Sequence, residues 1–262
     1  MPIYIDQCQR KVDIQSKPSR IVSTVPSQTE YLSGLGLDAQ VVGITAYCVH
    51  PASYLEQKAV IGGTKNLQIE KIKSLKPDLI IGNKEENIKE QIEELAQDIP
   101  VWLSDIHTVD DALAMMASLG EVCQEENKAQ EIISQIQQER QSLTHLRKRK
   151  ALYFIWKDPY MVAGPNTFIS HMMAEAGFEN IVPHNEERYP SLSMDEIKAL
   201  GAEVILLSSE PYAFNSGDSL AFWDNKTAVQ IVDGELFSWY GNRMIKAFQR
   251  FKGWWENAKR DW

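Results

Sequence analysis

Aromatic side chains are concentrated in short segments that follow apolar runs in the second half of the chain. They are Trp156, Tyr160, Tyr212, Phe214, Phe237, Trp239 and Tyr240. Loops are usually polar, whereas a wide, flat ligand is held by aromatic walls with a few polar anchors. The pattern therefore predicts a binding site for such a ligand, and the alternative is that some rings pack beneath their own loops.

Residue types that bind metals or perform catalysis form no recognisable pattern. The five histidines and three cysteines contain no HxH, HExxH or CxxC spacing. The GxSxG turn of hydrolases is absent, and Gly62-Gly-Thr-Lys65 lacks the spacing of a phosphate loop, so a tight turn is predicted there. The sequence thus predicts no catalytic residue, no directly bound metal and no intrinsic cofactor.

Short β-branched runs alternate with amphipathic stripes, which predicts an alternating α/β chain. Strands are predicted at 20–25, 41–45, 78–82, 101–104 and 151–156. The first helix is predicted to start after Ser27, which is predicted to cap it. Further helices are predicted at 69–75, 87–96 and 108–119. Strands separated by helices of this length pair in parallel through right-handed crossovers. The predicted class is therefore α/β with mainly parallel sheets.

A stretch without glycine or proline separates the two halves of this pattern. Residues 124–146 carry a helical apolar stripe that includes Ala129, Ile136 and Leu146. Such a helix would be roughly 35 Å long at its rise of 1.5 Å per residue. The basic run Arg147–Lys150 suits the carboxyl end of a helix, where cations are favourable.

An internal repeat indicates two similar lobes. Residues 67–85 align with residues 192–210 without a gap, and six of the 19 positions are identical. The predicted fold is two three-layer α/β lobes, each with a central, mainly parallel sheet, joined by one long backbone helix with a ligand cleft between the lobes. The predicted domains are an N-terminal lobe at 1–120, the connecting helix at 121–148 and a C-terminal lobe at 149–262.

Ligands of open α/β sheets bind beyond the carboxyl ends of the strands. The residues that follow the predicted strands are therefore the candidate ligand contacts. In the first lobe they are Pro26, Ser27, Tyr47, His50, Lys65 and Asn83. In the second lobe they are Trp156, Tyr160, Glu210, Tyr212, Phe214, Glu235, Trp239, Tyr240 and Arg243.

Charge and hydropathy exclude several functional classes. The chain of 262 residues has a formal net charge of −9, which argues against binding nucleic acid or an anionic membrane surface. No run approaches 18 consecutive apolar residues, so no membrane span is predicted. Residues 1–18 lack the apolar core of a signal peptide, which predicts a cytoplasmic protein if the sequence is complete.

Five segments together resemble the metal-chelate-binding proteins of ABC importers, whose two lobes are joined by a helical backbone. The segments are Arg20–Leu37, Val42–Thr45, His50-Pro51, Ile61–Gly63 and Glu70–Ile80, and the last, which ends in Lys-Pro-Asp-Leu-Ile, is the most specific. The resemblance covers about residues 19 to 250. It implies a substrate-binding protein that is periplasmic or otherwise extracytoplasmic.

Within this family the chain is most similar to the cobalamin branch, which favours a corrinoid ligand, with a ferric siderophore or haem as the next alternatives. The resemblance matches Pro26 and Tyr47 to ligand-binding positions of that branch, and adds Tyr189, Glu235 and Arg243. Thr64 and Asn83 stand where the branch carries tryptophans.

The resemblance also implies docking onto an ABC permease dimer with its ATPase, through one acidic residue on each lobe. Glu70 matches the first position, and Asp195, or its neighbour Glu196, matches the second. A monomer that binds a small metal chelate is expected. The alternative is a cytosolic enzyme or cofactor-handling protein on the same fold, because a fold alone does not determine function.

Overall fold

The structure is a computed structural model that describes residues 3–143, 148–184, 187–222 and 227–257. The chain separates into two compact units. Unit 1 comprises residues 1–106, 110–136 and 240–243, and unit 2 comprises residues 107–109, 137–239 and 244–262. The three-part division predicted from the sequence stays a prediction.

Unit 1 contains a five-stranded sheet in the order β5-β4-β3-β8-β9, and every neighbouring pair is parallel. The strands are β3 (Ile21–Ser23), β4 (Val41–Ile44), β5 (Ala59–Val60), β8 (Leu79–Asn83) and β9 (Val101–Ser104). The central strand β3, its neighbour β8 and the edge strand β9 are buried along their whole length. Parallel strands with both faces covered read as continuous apolar runs, which is why the sequence predicted them.

Two short antiparallel hairpins complete unit 1. The first joins β1 (Ile3–Ile5) to β2 (Lys11–Asp13), and the second joins β6 (Gly62–Gly63) to β7 (Asn66–Leu67). The tight turn predicted at Gly62–Lys65 is confirmed as the turn of the second hairpin. A Cβ atom on Gly62, whose φ is 101°, would lie 2.1 Å from the Asn66 carbonyl oxygen, so only glycine fits there.

The turn of the first hairpin covers the outer edge of β9. The backbone N–H of Gln7 donates to the Leu103 carbonyl at 3.1 Å, and the Asp6 carboxylate accepts from the Leu103 N–H at 3.1 Å. Arg10 pairs with Asp6 and also donates to the Val101 carbonyl at 2.7 Å. These contacts satisfy backbone groups that an edge strand would otherwise leave unpaired.

The helices associated with unit 1 lie close to their predicted positions. They are α1 (Pro26–Gly34), α2 (Tyr54–Gln57), α3 (Ile69–Ser74), α4 (Lys89–Leu95), α5 (Val109–Val122) and α6 (Glu126–Gln141). The prediction that Ser27 caps α1 was wrong. Val25 occupies the N-cap position without a side-chain hydrogen bond and Pro26 begins the helix, because its fixed φ and missing N–H suit the first helical position.

Helix α6 is shorter than the sequence predicted. Its 16 residues span about 24 Å, and it begins only at Glu126 because Gln124, with a left-handed φ of 54°, separates it from α5. Ala129, Ile132, Ile133 and Ile136 form its buried face, as predicted. Residues 126–136 belong to unit 1 and 137–141 to unit 2, and residues 144–147, including Leu146 and Arg147, lie outside the described residues.

Unit 2 contains a second five-stranded sheet in the order β11-β10-β13-β14, with β12 also paired to β10. The strands are β10 (Arg149–Trp156), β11 (Met161–Val162), β12 (Phe178–Asn180), β13 (Val204–Ser208) and β14 (Ala228–Val232). Only β11 is antiparallel. The helices are α7 (Phe168–Glu175), α8 (Met194–Leu200), α9 (Ser216–Ser219), α10 (Glu235–Ser238) and α11 (Arg243–Asn257), and a 3₁₀ turn spans Leu220–Phe222.

The repeat predicted from the sequence corresponds to the same helix–strand pair in each unit. Helix α3 and strand β8 in unit 1 have their equivalents in helix α8 and strand β13 in unit 2, each 125 residues later. The neighbouring strands also pair in the same register, since Ile80 lies opposite Val101 and Ile205 lies opposite Val229. The α/β fold with central, mainly parallel sheets is therefore confirmed.

Candidate functional site

In unit 1, the predicted site residue Asn83 shapes the loop beyond β8. Its side-chain Oδ1 accepts from the backbone N–H groups of Glu85 and Glu86 at 2.8 and 3.0 Å, and its Nδ2 donates to Ser104 Oγ at 2.9 Å. Asn83 itself is buried. Its amide therefore supports the loop that follows the strand, and a direct contact with a ligand stays a prediction.

Tyr47 is the most exposed aromatic side chain among the predicted site residues, with 63% of its surface accessible. It follows β4, and its ring lies over Gly63, where an added Cβ would be 3.1 Å from a ring carbon. The β6–β7 hairpin thus supports one side of the ring. His50 is half-buried three residues later, and exposed Lys65 donates to the Glu85 carbonyl, which ties the hairpin turn to the loop after β8.

A buried polar network lies beneath these loops and was not predicted. Gln28 Nε2 donates to Ser104 Oγ at 2.6 Å and to the Gly82 carbonyl at 3.2 Å. Asn87 accepts from Thr24 Oγ1 and donates to the Thr64 carbonyl at 3.1 Å. The only sequence signal was the polar residues next to apolar strands.

Tyr240 lies next to this network, and residues 240–243 belong to unit 1. Its phenol is buried beside Ser27 and Ser104, and burial raises the pKa of Tyr240 well above its usual value. Ser27 is itself buried. The predicted site residues Ser27 and Tyr240 are thus brought together by the structure, 213 residues apart in the chain.

Arg243 has a carboxylate partner within unit 1. Its guanidinium donates to both carboxylate oxygens of Glu30 on α1, at 2.8 and 2.7 Å, and the Arg243 side chain is only 6% exposed. This two-point geometry orients both groups. The arginine that the sequence assigned to ligand binding therefore anchors the start of α11 to α1, and its ligand contact stays a prediction.

In unit 2, four predicted aromatic residues form a connected cluster that grades from exposed to buried. Trp156 is 41% exposed and meets Tyr212 edge-on, with ring centroids 5.8 Å apart. Tyr212 contacts Phe214 at 4.7 Å, and Phe214 is buried against Phe154 in the core. Tyr160 is half-buried on Phe154.

This gradient separates the rings that support the surface from those that form it. Phe214 packs in the core, whereas Trp156 and Tyr212 present surface at the carboxyl ends of β10 and β13. Tyr189, which precedes α8, is half-buried. Trp156 and Tyr212 are therefore the strongest aromatic candidates for ligand contact in unit 2.

Glu210 follows β13 and is held by two donors from the segment around α10. Ser238 Oγ and Trp239 Nε1 donate to its Oε1 at 2.8 and 3.0 Å. Burial raises the pKa of Glu210, and these hydrogen bonds only partly oppose that effect. The predicted site residues Glu210 and Trp239 are thus hydrogen-bonded to each other, and Trp239 is buried. Glu235, the first residue of α10, is half-buried.

We expect E210Q to change how stability depends on pH. A carboxyl group whose folded pKa is raised adds most to stability below its unfolded pKa of about 4.5, and this contribution is lost as pH rises through the folded value. The unfolding midpoint of E210Q relative to the wild type should therefore increase as pH rises. Denaturant unfolding of both proteins, with E179Q as an exposed control, measures this; equal pH slopes in all three proteins would contradict it.

The acids predicted to dock a transporter are exposed at the starts of equivalent helices. Glu70 lies in the first turn of α3, and Asp195 and Glu196 lie in the first turn of α8. Glu196 completes a capping box with Ser193, whose backbone N–H and hydroxyl donate to its carboxylate at 2.8 and 2.7 Å and lower the pKa of Glu196. Asp195 is therefore the better counterpart of Glu70.

Two features of the described residues bear on metal binding and on membrane insertion. No group of three or more histidine, cysteine, aspartate or glutamate side chains in residues 3–143, 148–184, 187–222 and 227–257 is arranged to hold a metal ion. Within the same ranges no helix combines the length and the apolar character that crossing a membrane requires.

The family of periplasmic binding proteins matches residues 21–232, which is most of the chain. The chain belongs to this family. The match includes every strand of both five-stranded sheets, from Ile21 in β3 to Val232 in β14, and it confirms the resemblance noted in the sequence. Members of this family are substrate-binding proteins.

Similar proteins are known by sequence and by structure. A vitamin B12-binding protein of Pectobacterium carotovorum subsp. carotovorum is 26% identical over 244 residues, covering 89% of this chain and 87% of the relative. The vitamin B12-binding protein BtuF of Vibrio cholerae has a TM-score of 0.79 at 21% identity, covering 94% of this chain and 99% of that one. A haem-binding protein from Roseiflexus sp. RS-1 has the same TM-score at 21% identity, covering 92% and 99%. These likenesses confirm the bilobal periplasmic-binding-protein class of fold.

Proposed function

We propose that this protein is the substrate-binding component of an ABC importer and binds a preformed metal chelate. A corrinoid is favoured because the relatives include proteins named for vitamin B12 binding. Haem and ferric siderophores are the next alternatives, because structurally similar proteins are named for haem and for a siderophore bound with ferric iron. The enzyme alternative has no specific observation among the described residues in its favour.

The aromatic pair of exposed Trp156 and half-buried Tyr212 carries this proposal. Both residues lie where strands of the unit 2 sheet end, and their edge-on contact is supported from below by buried Phe214. Rings fixed in this way offer apolar area at little cost in side-chain entropy, which suits a wide ligand with a conjugated face. Tyr47 offers a comparable exposed ring at the carboxyl end of β4 in unit 1.

The proposal is tested by titrating the purified protein with cyanocobalamin, dicyanocobinamide, haem and a ferric siderophore while tryptophan fluorescence is recorded. We expect one class to quench strongly, and W156A to weaken its binding by about 10-fold, because a central aromatic contact is typically a hot spot. I3A, which removes an exposed apolar side chain of the amino-terminal hairpin, is the control. Failure of every chelate to bind would contradict the proposal.

We propose that the protein holds the chelate rather than coordinating a bare metal ion. Loops that carry Trp156, Tyr212 and Tyr47 are suited to contacts around a chelate. Titration with free Zn²⁺ or Mn²⁺ tests this directly. Tight binding of either ion that is lost when His50 and His107 are changed would overturn it.

The partner in this proposal is a permease dimer with its ATPase, met on the extracytoplasmic side of a membrane. Glu70 and Asp195 are the residues proposed to contact it. The support is their exposure on the equivalent helices α3 and α8, together with the acidic character of both helix starts.

A further inference from the structure

An ion pair between a partly exposed lysine and a buried aspartate lies next to the Trp156–Tyr212 pair of unit 2. Lys157 follows Trp156 at the end of β10, and its Nζ atom donates to Asp218 Oδ1 at 2.6 Å. The Asp218 side chain is almost fully buried, whereas about a third of the Lys157 side chain is accessible. The ammonium group is thus positioned by a carboxylate beneath it while part of the side chain remains open to solvent.

Asp218 has a second, independent structural role. Its other oxygen, Oδ2, accepts from the backbone N–H of Asn215 at 3.0 Å and completes the capping box that starts α9. A lysine ammonium carries three N–H donors, and Asp218 uses one of them. Lys157 can therefore donate to a ligand without releasing Asp218.

The surroundings of Lys157 are aromatic. The hydrogen bond that Lys157 donates to Asp218 raises the pKa of Lys157, and Tyr212 and Tyr160 are close enough to contribute to that shift. The lysine therefore keeps its positive charge at neutral pH and lies next to rings that are candidates for ligand contact. A fixed cation beside apolar rings matches a ligand that carries an anionic group at the edge of a flat body.

We infer that Lys157 is a specificity-determining residue that binds an anionic substituent of the ligand, a carboxylate or a phosphate, next to the Trp156–Tyr212 pair. Asp218 positions the ammonium and α9 positions Asp218. This inference rests on the proposed function and adds to it a preference for anionic chelates over neutral analogues of the same shape.

Two matched ligand pairs test the inference and distinguish the two anions. Haem carries carboxylates that haem dimethyl ester lacks, and cyanocobalamin carries a phosphodiester that dicyanocobinamide lacks. We expect the wild type to bind the anionic member of one pair more tightly. K157M should then weaken that member by about 10-fold while changing the neutral member little, because a charge-assisted hydrogen bond is lost.

Two further variants separate ligand binding from loop support. D218N keeps one side-chain oxygen for the Asn215 N–H but can no longer also accept from Lys157, so the ammonium loses its fixed position. Binding of the anionic member should therefore weaken, by less than in K157M, while the neutral member changes little. If Lys157 serves only to hold Asp218, D218N should instead weaken both members of a pair equally. K157R should retain the preference, and K198M, which removes an exposed lysine on α8, is the control.

The outcomes are distinct. Equal losses for both members of a pair in K157M, equal losses for both members in D218N, or no preference in the wild type would each overturn the role of Lys157 while leaving the proposed function intact. Binding of no chelate at all would overturn the proposed function itself. Thermal unfolding of each variant identifies losses that follow from misfolding, and K157R then decides the role of the charge.

Discussion

R243M is expected to lower the free energy of unfolding by roughly 3 kcal/mol, because it leaves the Glu30 carboxylate without its guanidinium in a largely buried place. Both hydrogen bonds from Arg243 to Glu30 are lost together. Methionine keeps most of the arginine's length, so the loss reports the charge pair more than a cavity. Denaturant unfolding followed by circular dichroism measures the change.

The double variant E30M/R243M is the matched control. Removing both charges leaves no uncompensated ion, so its loss should be clearly smaller than the sum of the two single losses. Additive losses would show that the two side chains are not coupled. Chelate titration of the double variant also tests the ligand role predicted for Arg243, since a purely structural arginine predicts unchanged affinity in a folded protein.

Charge reversal at Glu70 and Asp195, the two acids proposed to contact a permease, is expected to abolish most transport. E70K/D195K places two lysines where cations of a permease are proposed to meet acids, and like charges in register cost enough to weaken docking by about 10-fold or more. Wild-type docking should weaken as salt increases, because exposed charges are screened. Binding of the variant to the cognate permease–ATPase complex in lipid, and stimulation of its ATPase, are the measurements.

E121K/E179K is the control for charge reversal, since both glutamates are exposed and lie on α5 and β12 rather than on α3 or α8. Glu196 is left in place because it caps α8, and changing it would mix docking with helix stability. Both double variants should bind the chelate normally. Equal losses of docking in the two variants would show a general charge effect and contradict specific roles for Glu70 and Asp195.

Local patterns were sufficient to predict the longer strands β3, β4, β8, β9 and β10, whereas the strands of the two hairpins and the short strands β5, β11 and β12 were not predicted. Strand β9 begins and ends as predicted, and the 125-residue repeat placed α8 and β13 on the same pattern as α3 and β8. Buried parallel strands demand continuous apolar runs, and that demand is visible in a single sequence. The duplicated register of β8 with β9 and of β13 with β14 follows from the same constraint.

Long-range partners could not be predicted from these patterns. The ion pair between Glu30 and Arg243 joins residues 213 positions apart, and no local spacing indicates it. The hydrogen bonds that bring Asp6 and Arg10 to β9 depend on hairpin geometry in the same way. The predicted helix began at residue 124, two residues before the start of α6, because Gln124 has a left-handed φ although it is not a glycine.

The sequence could not distinguish the environments of the predicted site residues. Trp156, Tyr212 and Phe214 were all selected as ligand contacts, but the sequence could not show that Phe214 packs inward while Trp156 faces solvent. Asn83 and Tyr240 were selected as ligand contacts, and the structure shows both in the buried network beneath the loops. Burial of a side chain depends on neighbours from distant segments, which a position at a strand end does not reveal.

The assignment of residues 240–243 to unit 1 has a consequence for how the protein is made. Glu30 emerges from the ribosome long before Arg243 is added to the chain. Domains generally fold in the order in which they emerge. Helix α1 must therefore wait for its guanidinium partner until the strands of unit 2 have been translated. Until then the Glu30 carboxylate lacks its guanidinium partner, so translation of a segment that follows the strands of unit 2 completes unit 1.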